Sequence, residues 1–303
     1  MNVSFGESDL ETTKVELLSP AGDPECFRAA VNAGADAVYL GLKRFGARAN
    51  ASNFTQEELK RALDIAHIFD RKIYLTVNTL FKDDEMDELY DLLHDPYVNG
   101  LDGVIVQDTG VMSYIARQFP ALPIHVSTQA GITSCDGAKY LAGLGVKRIV
   151  PARELSLPEI RKLKEGSGLE IECFIHGSMC YSYSGKCLMS SFIGGRSGNR
   201  GRCAQPCRLM YDRTYPLSMK DMCTVDIIPD LIDAGISSFK IEGRMKSASY
   251  VYGVTSIYRK YIDIFYEGGR FEVSEEDRER LISVYTRSGN CPGYYYAHMS
   301  MSS

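Results

Sequence analysis

Short apolar runs recur along the chain, each followed by a longer stretch with helical periodicity. The runs lie at residues 15–19, 37–41, 72–78, 103–108, 123–128, 148–153, 171–176 and 238–243. They are brief and rich in β-branched residues, as parallel strands buried on both faces are. The intervening segments carry helix punctuation. Asp23 precedes Pro24, an N-cap followed by a first-turn proline. Thr55 and Glu58 form a capping box, Ser156 opens another helix, and Gly34, Gly145 and Gly235 stand where helices stop before the next strand. Eight such units predict an α/β fold, a (β/α)8 TIM-type barrel. A doubly wound open sheet is the alternative, but it would carry a glycine-rich phosphate loop after the first strand. The segment there, SPAGDP, has one glycine.

The seventh and eighth runs start 67 residues apart, against 20 to 35 for the others. A cysteine-rich insertion at 177–223 therefore follows strand seven. It should project from the C-terminal face, where active sites of this fold sit. The predicted organisation is an N-terminal extension at 1–14, a barrel at 15–270 including the insertion, and a C-terminal segment at 271–303 that starts a further region. A long amphipathic helix is expected just after the eighth strand.

Composition narrows the chemistry. The 303 residues are 45% hydrophobic with a net charge of −5, so the surface as a whole does not advertise nucleic-acid binding. The polar, acidic N-terminus lacks a signal-peptide pattern, and no apolar run is long enough to span a bilayer. These features predict a cytoplasmic protein without membrane association. Its nine cysteines should then be reduced thiols rather than a disulfide framework.

Five of those cysteines, Cys180, Cys187, Cys203, Cys207 and Cys223, lie in the insertion. Cys26 and Cys173, and with less force Cys135 and Cys291, read as small buried apolar residues. A zinc knot would favour paired C-x2-C knuckles, which are absent, and a single catalytic thiol would explain only one of the five. An iron–sulfur cubane tolerates irregular spacing and is the favoured reading. Ser182, Ser184, Gly185 and Gly201 would let backbone N–H groups approach its sulfurs. From 177 to 211 there is no Asp or Glu, while Lys186, Arg196, Arg200, Arg202 and Arg208 supply five positive charges. Such a loop either compensates a thiolate cluster or contacts RNA phosphates. Tyr181 and Tyr183 offer faces for an unstacked base.

Polar residues at the other strand ends should face the same centre. They are Asn78, Gln107, Asp108, Ser127, Gln129, Arg153, Glu154, His176, Glu242 and Arg244, with Arg48 after strand two. Glu242 and Arg244 are either an ion pair at the rim or part of a site. Several arginines at one mouth suit an anionic substrate.

At ECFIHGSMCYSYSGKCLMS the chain resembles the collagenase-like peptidases of family U32. Glu172, Phe174, Gly177, Ser178 and Cys180 fit that family's signature, with its second cysteine at Cys187. ELLSPAG, GADAVYLG, FGARA, GVIVQD, STQ, IVPAREL and SFKIEGRMKS extend the likeness over most of the chain. Despite the peptidase name, the resemblance implies oxygen-independent hydroxylation of RNA or quinones by a 4Fe–4S protein. GGRSGNRGRCAQPCR and YPLSMKDMCT are most similar to the branch that hydroxylates a cytidine of large-subunit ribosomal RNA; a sister branch acts on the wobble uridine of tRNA. The resemblance implies prephenate as hydroxyl donor, an electron-transfer partner, and Cys180, Cys187, Cys203 and Cys223 as ligands, with Cys207 as alternate. A peptidase, with a nucleophile beside His176, and a non-catalytic scaffold for a hydroxylase are the competing readings.

Overall fold

The computed structural model describes residues 14–287 and 289–297, so the expected N-terminal extension lies, apart from Lys14, outside the described residues. The chain alternates strand and helix: β1 (Glu16–Pro20), α1 (Pro24–Asn32), β2 (Ala37–Leu40), α2 (Gln56–Ile68), β3 (Lys72–Val77), α3 (Glu88–Val98), β4 (Gly103–Val106) and α4 (Thr109–Gln118). It continues through β5 (Ile124–Val126), α5 (Cys135–Ala142), β6 (Val146–Ile149), α6 (Leu157–Ser167) and β7 (Glu170–Gly177). The insertion then carries α7 (Met189–Gly194) and β8 (Asp221–Cys223), before α8 (Ile228–Asp233), β9 (Ser238–Ile241), α9 (Ala248–Tyr266), α10 (Glu275–Val284) and β10 (Asn290–Cys291).

Strands β1 to β7 pair in order, and β9 pairs in parallel with both β7 and β1, closing an eight-stranded parallel barrel inside a ring of helices. Local chemistry explains the helix starts. Asp23 accepts the Cys26 N–H at 2.8 Å. The capping box forms through Glu58 N–H to Thr55 at 3.1 Å and Thr55 N–H to Glu58 at 2.9 Å. Each such cap contributes on the order of 1 kcal/mol. One strand is displaced from its expected position: β6 ends at Ile149, not Arg153. Pro151 lacks the N–H that would extend the ladder.

Leu18, Ala37, Tyr39, Tyr74 and Ile105 form a small apolar core inside the barrel, separate from the large one between strands and helices. Toward the N-terminal ends of the strands the interior is ionic. Arg148 bonds Glu16 and Glu170 and lies 3.3 Å from Glu172, while Lys240 donates to Glu172 at 2.7 Å.

The short strand β8 runs antiparallel to the end of β7, with His176 opposite Cys223, and β10 pairs in parallel with β8. The insertion therefore leaves and rejoins the barrel at one place. The described part of the C-terminal segment folds back on the barrel rather than away from it. Lys260 and Tyr261 of α9 both bond Asp277 of α10, at 2.6 and 2.7 Å, and the Tyr295 hydroxyl bonds the Phe174 carbonyl. Among the described residues, no helix is long and apolar enough to cross a membrane.

Candidate active site at the barrel mouth

The insertion folds over the C-terminal end of the barrel and is tied to it at several points. The Glu154 carboxylate accepts from the Ser184 N–H and hydroxyl, and the Ser184 hydroxyl oxygen accepts the Arg153 N–H at 3.1 Å. Arg200 donates to both oxygens of Glu85, at 2.6 and 2.5 Å, and the Leu80 N–H reaches the Asn199 carbonyl at 3.1 Å. Gly185 has φ +72°, and a side chain there would strike the Gln129 carbonyl; Gly201 meets the Gly46 carbonyl in the same way. These glycines serve close approach of loop to barrel.

Beneath the insertion lies a cavity of about 720 Å³ that reaches down to Tyr39, Ile105, Phe174 and Lys240. Arg48, Asn78, Gln129, Arg153, Glu242 and Arg244 all line it, as expected of strand ends. Glu242 bridges two arginines: Arg48 donates to one oxygen at 3.1 Å, and Arg153 lies 3.6 Å from the other. Burial pushes the Glu242 carboxyl up, but Arg48 and Arg153 outweigh it and hold it below its ordinary value. Arg153 also lies over the Phe174 ring, 4.1 Å from its centroid. Asn78 accepts the Ala47 N–H at 2.9 Å and so positions the loop that carries Arg48.

Arg244 is different. It forms no ion pair with Glu242; its guanidinium donates to Thr76 at 2.9 Å and to Asn53, both neutral. Gly41 makes room for it, since a Cβ there would collide with the guanidinium. Its Nε has no partner, and burial lowers its pKa to about 10. The Gln129 Oε1 is likewise buried without a partner.

His176 does not join them. The pairing of β7 with β9 shifts register between Phe174 and His176, so Phe174 lies beside the inward-facing Lys240 but His176 lies beside Ile241. Such a bulge reverses side-chain alternation. The imidazole points outward onto α9, with Nδ1 3.3 Å from the Tyr258 hydroxyl, and burial lowers its pKa to about 3. Asp108 is also structural, accepting N–H groups from Gly110, Val111 and Phe81.

Four thiols face the cavity: Cys180, Cys187, Cys203 and Cys207. The expected set had Cys223 in the place of Cys207; of these two, Cys207 lines the cavity and Cys223 does not. Cys223 lies in β8, its sulfur 3.9 Å from the Tyr258 hydroxyl and away from the cavity, because β8 pairs back onto β7. Burial raises the Cys207 thiol pKa; Arg208 counters this, while the three neighbouring thiols reinforce it. The Gln205 N–H donates to Cys203 Sγ at 3.3 Å. Among the described residues no three His, Cys, Asp or Glu side chains converge tightly enough for a single ion; a cubane holds its four thiolates further apart.

The basic loop divides by role. Arg200 is neutralised by Glu85, and Arg208 donates to Ser218, Met219 and Met179. Arg196 donates to the Arg202 carbonyl at 3.1 Å and lines the cavity, and Arg202 is exposed. Among the described residues no carboxylate pairs with Lys186, Arg196 or Arg202. Tyr181 and Tyr183 are more than half exposed, and Tyr183 lines the cavity. The sequence reading missed Lys240, although it stands two residues before Glu242 and so shares its face of the strand. It also missed Asn53 and Thr76, for which no local signal exists.

Comparison with known proteins fits this arrangement. A protein of Methanocaldococcus jannaschii named as an uncharacterized protease is 38% identical over 93% of this chain and 73% of its own length. The 23S rRNA 5-hydroxycytidine C2501 synthase of Escherichia coli is 43% identical over 84% of this chain, which spans 40% of that protein. The tRNA hydroxylation protein P1 of Bacillus subtilis is 40% identical over 84% of this chain and 64% of its own length. A solved U32 peptidase, Mk0906, superposes with a TM-score of 0.57 at 14% identity, covering 80% of this chain and 97% of that one, and supports the barrel. The description of peptidase family U32 matches residues 22–303, from the first helix through the cysteine insertion and beyond, and the chain belongs to that family.

Proposed function

We propose that this chain is an enzyme that hydroxylates an RNA base without dioxygen, using a 4Fe–4S cluster held by Cys180, Cys187, Cys203 and Cys207. One observation carries the reading: a single cavity joins four thiols, an acid-free cationic loop and a buried guanidinium with no carboxylate partner. The two relatives named for 23S rRNA cytidine and tRNA hydroxylation support RNA as the substrate class. When bound, a cluster with a thiolate on each iron would supply one-electron chemistry.

The remaining work falls to side chains. Replacing a base C–H by C–OH removes two electrons and needs a hydroxyl source, so an oxygen donor and an electron-transfer partner complete the reaction. Arg244 suits a carboxylate of the donor, with prephenate the first candidate, because its Nε has no partner and no carboxylate pairs with its charge among the described residues. Arg48 and Arg153 are held rigid by Glu242 and shape the wall beside it. The partnerless Gln129 Oε1 is an acceptor suited to the exocyclic amino group of cytosine, which favours cytidine over the wobble uridine of tRNA. A peptidase acting through His176 loses its base, since that imidazole faces α9. A non-catalytic scaffold would leave the cavity and its unmet groups without purpose.

The test is anaerobic purification with iron and sulfide assay and an absorbance spectrum, on wild type, Cys207→Ser and Cys223→Ser. About four irons per chain in wild type and Cys223→Ser, lost in Cys207→Ser, is the expected result. Loss in Cys223→Ser alone would restore the ligand set first expected. Zinc or no metal in the wild type would remove the cluster. Mass spectrometry of ribosomal RNA and tRNA from cells with and without the protein then asks for the gain of one oxygen.

A further inference from the structure

The rim of the cavity carries a second group of cations. Arg208 of the insertion, Lys246 in the turn after β9 and Arg287 in the turn between α10 and β10 all line it. Residues far apart in the chain thus place three positive charges on one edge. None has a carboxylate ion pair among the described residues. Arg208 donates to Ser218 at 2.9 Å and to the Met219 carbonyl at 2.8 Å. Lys246 Nζ stands 2.7 Å from the centroid of the Tyr285 ring, and the Arg287 guanidinium lies 5.4 Å from the same ring.

The acid in this group is the buried Asp221, which accepts the Arg287 backbone N–H at 3.0 Å. Three cations thus face one carboxylate. Burial lowers the pKa of Lys246; Tyr285 opposes this, and the charge of Arg287 adds to it. Like charges crowded at a cavity edge favour an anion. Cluster compensation accounts for Arg208, whose charge acts on Cys207. The groups acting on Lys246 are Tyr285, Arg287 and Asp221, so it needs another reason.

We propose that Arg208, Lys246 and Arg287 form a phosphate ridge that holds the sugar–phosphate backbone of single-stranded RNA while one of its bases enters the cavity. The proposal rests on the RNA reading above and adds to it the path of the strand. A base taken into a pocket leaves its flanking phosphates at the rim, where half-buried Lys246 and exposed Arg287 stand. Arg244, deeper and buried, is left for the small anion.

The experiment is fluorescence anisotropy with a labelled single-stranded oligoribonucleotide and the cluster-loaded full chain, under anaerobic conditions, from about 50 to 200 mM salt. Arg287→Gln and Lys246→Gln are compared with wild type and with Arg161→Gln, whose partner is the exposed Asp233 at 2.8 Å. Each ridge variant should bind about threefold to tenfold more weakly at low salt and lower the log–log salt slope by about 0.7. Arg161→Gln should match wild type. Equal iron content and melting temperature certify folding, and the exposed Arg287 is the variant least able to disturb it. Wild-type slopes in both ridge variants would overturn the ridge and leave the RNA reading standing. Absence of salt-dependent binding by the wild type would remove the RNA reading and the ridge with it.

Discussion

The two ends of the barrel interior treat charge in opposite ways. Toward the N-terminal ends of the strands, Glu16, Arg148, Glu172 and Lys240 satisfy one another, with Tyr74 and Ser238 adding hydrogen bonds to Glu16 at 2.7 and 3.0 Å. Toward the C-terminal ends, Arg244 rests on neutral oxygens with an unpartnered Nε, and Gln129 keeps an unpartnered oxygen. Both ends are polar and enclosed, but the charges are matched at only one, where His125 Nδ1, beside the Tyr74 ring, is left without a partner. A closed network holds the barrel together, whereas an open one is held by the barrel for something else.

Breaking the closed end should have the largest effect. Glu172→Ala leaves Arg148 and Lys240 short of a buried carboxylate and should cost about 3–5 kcal/mol, read as a lowered denaturation midpoint with iron binding lost only through unfolding. Breaking the open end should separate function from stability. Arg244→Met removes a charge that the fold does not neutralise but leaves the buried Asn53 and Thr76 oxygens without their donor, so stability should fall by about 1–3 kcal/mol, less than in Glu172→Ala. RNA hydroxylation, measured by mass spectrometry, should fall about tenfold to a hundredfold, the worth of a charged hydrogen bond of about 1.5–3 kcal/mol. Equal losses of stability in both variants would abolish the distinction.

His176 sharpens the comparison from outside the barrel. Its folded pKa, about 3, lies below the ordinary 6.5. Below pH 6.5 the unfolded chain therefore takes up a proton that the folded chain refuses, and stability declines as pH falls toward 3. Between pH 7 and 5 the wild type should lose about 2 kcal/mol more than His176→Phe. Denaturation at the two pH values measures this, and parallel losses would show that the imidazole is not held neutral.

The contrast also marks what could be read from sequence. The barrel was legible because fully buried strands leave contiguous apolar runs, and the insertion because it breaks their spacing. Arg153, Glu242 and Arg244 were legible as strand ends, and Arg48 as a residue of the loop after strand two. His176 was not, because a one-residue bulge at Phe174–His176 is invisible to a period-two reading. Nor was the position of Cys223 away from the cavity, which depends on β8 turning back onto β7. Asn53 and Thr76 hold Arg244 across separations of 191 and 168 residues, and only the closed barrel brings them together.

The pairing of His176 with Cys223 has a further consequence. Because the barrel itself brings the two ends of the insertion side by side, most of the entropy of closing that loop is lost when the strands assemble, whatever the loop contains. Doubling the length of such a loop adds only about 0.6 kcal/mol. Away from the contacts of Ser184, Gly185, Arg200 and Gly201 with the barrel, the insertion can therefore change length at small thermodynamic penalty. The barrel works as a chassis that keeps its shape while the chemistry mounted on it is exchanged.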